Sequence, residues 1–402
     1  YYGANKSLSD YGKTKDFSFN LGAQYNASLG KSNLVLGIED KGAWLKDKKM
    51  GYPDVAGATI NFADSTVSIP YTDKRTIADQ TTNTLGMFAQ YNIEWNKWKI
   101  SAGLRYDHYQ VTDETYGGGN ISGDVLSPRL SLKYDIKESL QARVRYSQGY
   151  RAPQIYDEDL HIETSGARKV IHENAGDLRQ ETSHSYMASL DYNGQFGSTY
   201  LGLLVEGFYT HLQDAFVNEF GAPDESGTVV YTRINSDKGA VVQGVNLEMN
   251  LVPAEDLSLT GGFTMQSSDY QAPHEFNRKS FFRTPDGYGY MTLNWDLTNA
   301  FTVSSSGTYT GNMLVPYFGN ELANPEEGVL RQSSRFYDLD LKLSYVVPIN
   351  EETNMEVSGG VKNVFNSYQS DFDRGIDRDP GYIYGPSTPR QIYFGIKVGN
   401  ML

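Results

Sequence analysis

The sequence has no cysteine, which excludes a disulfide framework and thiolate metal sites. It has no run of 18 apolar residues, which excludes a transmembrane helix. Basic residues are too few for a nucleic-acid surface. The 35 Lys and Arg against 49 Asp and Glu leave a formal charge of −14, and a protein that grips phosphate backbones needs the opposite balance. No segment carries a convincing 3.6-residue apolar period, and no linker, low-complexity tract or composition break divides the 402 residues. A helical bundle and a multi-domain chain are both disfavoured. Tryptophan is scarce, at four residues, whereas glycine (40) and tyrosine (30) are plentiful.

What the chain has in abundance is alternation. Leu85, Met87, Ala89, Tyr91, Ile93 and Trp95 share one parity, with Gly86, Gln90, Asn92 and Glu94 between them. Leu126, Leu130, Leu132, Tyr134 and Ile136 likewise oppose Ser127, Arg129, Ser131, Lys133 and Asp135. A period of two is the mark of strands with one apolar and one polar face. About 15 such strands are predicted, near 17–29, 33–45, 79–95, 98–111, 124–136, 140–150, 183–193, 199–218, 228–252, 256–267, 285–297, 300–312, 335–347, 353–366 and 388–399.

The connections alternate in length. Tight turns such as GKSN, NK and KES follow the odd strands, and long segments follow the even ones. In an up-and-down meander this places every tight turn at one end and every long loop at the other, as in transmembrane barrels and unlike soluble sandwiches. The fold class predicted is all-β, a single-domain transmembrane antiparallel up-and-down β-barrel over 1–402.

Trp95 and Trp98 flank the two-residue hinge Asn96-Lys97, and Trp295 and Phe301 repeat the arrangement. Cross-strand packing would explain such pairs in a soluble hairpin. With the loops sorted, they read as a membrane girdle at the turn end. Lys99, Arg105, Arg129, Lys133, Arg143 and Arg145 all take the polar parity, hence the lumen. One Lys or Arg facing lipid at midplane costs about 2–4 kcal/mol, so six would be prohibitive. These cations either guide an anionic ligand or pair with acidic groups on a plug. By parity, 15 strands cannot close an even antiparallel barrel, and an open edge in lipid is untenable. The expectation is a C-terminal portion with at least one strand elsewhere.

Three segments carry a family resemblance. SQGYRAPQIYDEDLH at 147–161 resembles a box ending in Phe/Tyr-Arg-Ala-Pro. NAGDLRQETSHSYMASLDYN at 174–193 is similar to an Asn-Pro-Asp-Leu-Lys-Pro-Glu box, with Gly176 and Gln180 where prolines are common. Residues 361–398, with Asn363-Val364-Phe365-Asn366 and Pro389-Arg390, look like a C-terminal strand pair, and GTYTGNMLVPYFG at 307–319 also fits. Together, over most of the chain, these resemble the TonB-dependent outer-membrane receptors. The resemblance implies a barrel of about 22 strands with an N-terminal plug. It implies the outer membrane of a Gram-negative bacterium, as a multi-pass β-barrel. The implied function is active uptake of a scarce bulky solute by loop capture and plug-gated passage. Cobalamin comes narrowly first, then an iron complex (haem or siderophore). The alternatives are a plugged barrel that docks a surface lipoprotein in an envelope complex, and a passive porin. Implied partners are TonB with its inner-membrane energising complex, a small-molecule ligand, and outer-membrane lipid and lipopolysaccharide. No nucleic acid and no enzymatic activity are expected, and no cofactor is required.

Candidate ligand-binding residues lie in the long loops. Tyr156, Asp157, Glu158, Asp159, His161 and His172 fall between the first two boxes. Some haem-taking family members carry a histidine there, and imidazole suits iron; the alternative is a solvated polar loop. Tyr317, Phe318, Tyr382 and Tyr384 offer either aromatic surface for a flat ligand or an outer girdle. Asp371, Asp373, Asp377 and Asp379 could hold calcium through carboxylate oxygens, or pair with the interleaved Arg374 and Arg378.

Overall fold

The computed structural model describes residues 12–399 except 50–51, 54–56, 64, 70, 73–74, 116–118, 155–168, 223–227, 326, 376–377 and 380. Fifteen strands form one sheet. They are β1 (Gly12–Leu29), β2 (Ser32–Lys49), β3 (Arg75–Trp95), β4 (Trp98–Asp113), β5 (Asn120–Lys137), β6 (Leu140–Arg151), β7 (Glu181–Phe196) and β8 (Thr199–Gln213). They continue as β9 (Ala240–Ala254), β10 (Leu257–Tyr270), β11 (Gly287–Asp296), β12 (Phe301–Thr310), β13 (Phe336–Pro348), β14 (Asn354–Lys362) and β15 (Gln391–Gly399). Each strand pairs antiparallel with its neighbours in chain order, with β1 and β15 at the two edges. No helix among the described residues is long and apolar enough to cross a membrane, which says nothing of crossing by strands.

Two-residue turns join β1–β2, β3–β4, β5–β6, β7–β8 and β9–β10. Gly30, Asn96 and Gly197 sit in three of them with φ of 67°, 51° and 62°, the left-handed backbone that tight hairpins need. The connections at the other end run over 50–74, 114–119, 152–180, 214–239, 271–286, 311–335 and 363–390. The predicted sorting of turns and loops is therefore the observed one.

Two predicted strands divide. The 199–218 strand stops at Gln213 because Asp214 turns with φ of 52°, and 228–252 breaks before Ala240 at Gly239, φ 71°. A Cβ at Gly239 would overlap the Leu212 carbonyl. The detached pieces, Phe216–Phe220 and Thr228–Asn235, pair with each other above the sheet. The predicted 353–366 strand ends at Lys362 because Asn363 turns, φ 51°.

The two faces differ as a lipid boundary requires. Tyr25 lies opposite Leu36, Leu36 opposite Ala89, and Ala89 opposite Leu104. Leu104 is 46 % exposed, and Met87, Leu126, Leu130, Leu190, Leu343 and Phe394 are exposed on the same side. On β3 this band runs from Trp95 up to Leu85, eleven residues whose ten steps span about 23 Å at ~45° tilt, close to the usual barrel band of about 25 Å. Trp95 is 63 % exposed and paired with Trp98, which packs on Tyr134 at 4.4 Å. Trp295 is exposed opposite Val303, and Phe301 pairs with Tyr345. At the upper limit the outer face turns polar. Asn83 donates to Asp40 (2.8 Å), and Tyr106 and His108 both contact Asp124, at 2.6 and 2.9 Å.

Leu104→Arg, near the middle of the band, is expected to cost about 2–4 kcal/mol. Gln90→Arg, at the same level on the inner face, should stay within about 0.5 kcal/mol. Denaturant midpoints of the protein in lipid vesicles measure both, and equal costs would reverse the assignment of faces.

Candidate functional site

The inner wall concentrates charge. Lys99 pairs with Glu94 (2.9 Å), Lys133 with Asp135 (3.3 Å), and Arg105 with Glu39 (3.0 Å) and Asp107 (2.8 Å). Arg105 also lies 5.9 Å from the centre of the Phe88 ring, which covers Gly37 so closely that a Cβ there would collide with it. Strand register places Lys99 opposite Lys133 and Lys133 opposite Arg143, three cations in one row. Like charges set opposite one another are destabilising. Arg129, Arg143 and Arg145 make no ion pair with any described residue. On β7–β9 the same face instead carries Asp191, Glu206 and Glu248. The wall is thus basic in the sector β4–β6 and acidic beside it.

Above the wall the long loops fold into two packed bodies. In the first, Lys169–Asn174 runs parallel to Thr228–Asn235, which pairs antiparallel with Phe216–Phe220. The Phe216 ring is faced by Arg151 at 4.9 Å and Arg233 at 6.0 Å, and its amide donates to Glu181 (3.0 Å). Pro153 is fully buried and Leu178 nearly so. Asn235 receives the Arg179 amide and donates to the Arg179 and Asp214 carbonyls. The two sequence boxes therefore work here as staples for the strand ends.

In the second body the hairpin Leu314–Tyr317/Val329–Gln332 packs on the last long loop. Its core is Met313, Val315, Tyr317 and Tyr382. Arg331 stacks 3.5 Å from the Tyr317 ring, and Glu321 accepts hydrogen bonds from Tyr317 and Arg331. Gln369, 1 % exposed, donates to the Tyr382 carbonyl and accepts the Tyr384 and Gly385 amides.

Residues 271–286 bolt the two bodies together. Tyr270 packs on His274 (4.9 Å) and Phe281 (4.5 Å), and Ser236 Oγ contacts His274 Nε2 at 2.9 Å. On the far side Phe276 meets Phe318 (6.0 Å), and Arg283 donates to the Ile383 carbonyl (2.9 Å). Phe276, Asn277 and Arg283 all have φ between 53° and 55°. Left-handed backbone is costly for such residues and persists where packing over-determines it.

Tyr317 and Tyr382, each 2 % exposed, lie inside the second body, away from the outer girdle level. Phe318 donates its amide to Asp379 (2.8 Å), and Tyr384 donates to Asp371 (2.7 and 2.8 Å). Burial and then Asp371 push the Tyr384 hydroxyl pKa up. Asp373 accepts the Arg374 and Asp379 amides. Burial raises the Asp379 pKa against the pull of two backbone amides. No three carboxylate or imidazole groups among the described residues converge on a metal position. Tyr156, Asp157, Glu158, Asp159, His161 and Asp377 lie outside the described residues. His172 sits in the Lys169–Asn174 strand, opposite Tyr231. Phe216, Asn235, His274 and Gln369 are central to the loop bodies yet carry no local sequence signal, because each acts on a partner far along the chain.

An all-antiparallel wall with an apolar exterior, a charged interior and long loops gathered at one end has the architecture of an outer-membrane β-barrel wall. A family model described as TonB dependent receptor-like, beta-barrel matches residues 1–364, and the chain belongs to that family, whose members are receptors and transporters of the outer membrane. Among solved structures, the copper transporter OprC superposes with a TM-score of 0.68 at 13% identity, over 96% of this chain and 57% of its own. The FrpB iron transporter from Neisseria meningitidis gives 0.65 at 15% identity, over 95% and 55%. The ferripyoverdine receptor of the Pseudomonas aeruginosa outer membrane gives 0.65 at 14%, over 96% and 48%. The chain spans about half the length of these proteins. A comparison with curated protein sequences gives no match.

Two outcomes are expected. Tyr382→Ala removes an aromatic from the second core, a change of about 3–5 kcal/mol, and should open 311–335 and 363–390 to protease. Ile383→Ala, at an exposed neighbour, should not. Burial lowers the His274 pKa, so the folded loop binds fewer protons than the unfolded one below about pH 6.5. The seating of 271–286 is therefore complete above that pH and weakens as pH falls through the lowered value. Amide exchange at pH 7 and pH 5 checks it.

Proposed function

We propose that this chain forms the loop-bearing wall of a TonB-coupled transporter that imports an anionic metal chelate, with an iron–siderophore complex as the first choice. Arg129, Arg143 and Arg145, which have no ion pair among the described residues, carry this reading, because cations lining a channel concentrate and steer anions. The iron transporter and the ferripyoverdine receptor of the same fold lend support. Energy would come through TonB and its inner-membrane complex acting on a plug, and the loop bodies would frame the entrance. Haem, with His161 and His172 the candidates for iron ligation, and cobalamin are the other ligand classes. A second reading, a plugged barrel that docks a surface lipoprotein, is supported by the ordered loop bodies, which offer a pre-organised surface.

Uptake of radiolabelled ferric siderophores, haem, cobalamin and copper, with the gene deleted and with tonB deleted, tests this. Loss of siderophore uptake in both strains is expected. Arg143→Glu with Arg145→Glu should raise the half-saturation concentration about tenfold, roughly 1.4 kcal/mol. Unchanged iron uptake with lost cobalamin uptake overturns the ligand class, and uptake without TonB favours a porin.

A further inference from the structure

On the outer face of β7 and β8 two imidazoles meet. His184 lies directly opposite His211 in the strand register. Each stands two residues above an exposed outward tyrosine of its own strand, Tyr186 and Tyr209, so alternation puts both on the outer side. Tyr186 is as far above the turn residue Phe196 as Leu85 is above Trp95, which sets the histidines just above the apolar band, in reach of water. Side chains directly opposite have Cβ atoms about 4.5–5.5 Å apart, close enough for one cation to take both rings.

A floor of tyrosines supports the pair. Tyr146, Tyr186 and Tyr209 face one another across β6, β7 and β8, with ring centres 5.1 and 6.5 Å apart. The His184 ring stacks on Tyr146 at 6.3 Å, and its Nδ1 lies 3.0 Å from the Tyr146 hydroxyl. Its other nitrogen, Nε2, lies 3.2 Å from Oε1 of Gln213, which is two residues above His211 on β8. Two donors bound to one cation at ~2.1 Å and ~100° apart are separated by ~3.2 Å, so the spacing of His184 and Gln213 suits a shared ion. With the His184 proton on Nδ1 and donated to the Tyr146 oxygen, the Nε2 lone pair is available to metal. The hydroxyl then fixes tautomer and ring orientation, as partners behind metal-bound histidines do. His211 is half-buried and makes no hydrogen bond or ion pair with a described residue, so turning it to the ion breaks none. Two imidazole nitrogens and an amide oxygen favour cations such as Cu2+ and Zn2+ over Mg2+ and Ca2+, which take oxygen shells.

We propose that His184, His211 and Gln213 form a surface site for a divalent transition cation, Cu2+ being held more tightly than Zn2+. The site lies outside the lumen and is independent of the transport reading. Titration of the detergent-purified protein, without a polyhistidine tag, with Cu2+ tests it by calorimetry and electron paramagnetic resonance. The tightest equivalent is expected to show coupling to two imidazole nitrogens. His211→Gln should weaken it at least tenfold, and His108→Gln, at the histidine paired with Asp124, should leave it unchanged. Heat-modifiable migration reports the folding of both variants. In the unaltered protein Zn2+ should shield His184 and His211, but not His108, from carbethoxylation by diethylpyrocarbonate, and this arm decides if His211→Gln does not fold. Undiminished Cu2+ binding in His211→Gln overturns the proposal, as does loss of binding in His108→Gln or equal shielding of all three histidines.

Discussion

A peptide group facing hydrocarbon has no water to bond, so every N–H and C=O in the band must find its partner inside the sheet. This requirement shapes the rest of the molecule. It commits the chain to long paired strands, and pairing commits the side chains to alternate faces. β1 and β2 pair over 18 residues without a slip. The register shifts on β2–β3, β5–β6 and β9–β10 sit at strand ends. A one-residue slip in β5 would turn Arg129 and Lys133 into lipid, at a cost that no local packing could offset. The polar and charged residues are therefore driven to one inner wall. The basic sector of β4–β6 is a consequence of the solvent outside as much as of any ligand inside.

The same demand for satisfied backbone groups is met differently in the loops, where no ladder is available. There single polar side chains replace strand partners. Asn363, 3 % exposed, accepts the Ser367 amide and donates to the Ser367 and Thr388 carbonyls. Gln369 and Asn235 act in the same way within their own loop bodies. Around these stitches the tyrosines and phenylalanines bury their rings, and Tyr317 and Tyr384 keep their hydroxyls on Glu321 and Asp371. Long connections thus become two ordered bodies joined through 271–286, and the strained backbone at Phe276, Asn277 and Arg283 is held by the contacts on either side of it.

Much of the fold was legible because its cause is local and periodic. The alternation of Leu85 to Trp95, the turn at Asn96-Lys97 and the sorting of loop lengths each follow from neighbours in sequence. The breaks at Asp214 and Gly239 were not legible, because the residues on both sides keep strand composition and only a turned backbone separates barrel from loop sheet. The site was legible in part. The lumenal cations followed from parity, but the lack of ion pairs at Arg129, Arg143 and Arg145 among the described residues depends on which residues face them across neighbouring strands. Tyr317 and Tyr382 read as surface aromatics because nothing nearby in sequence announces that a hairpin will close over them.

The sequence by itself determined the sheet, its two faces and the end that bears the loops, since period-two hydrophobicity and turn chemistry act over a few residues. Only the tertiary structure decided which aromatics are buried and which cations find no ion pair among the described residues. Those properties belong to residues far apart in the chain, brought together by strand register and loop packing.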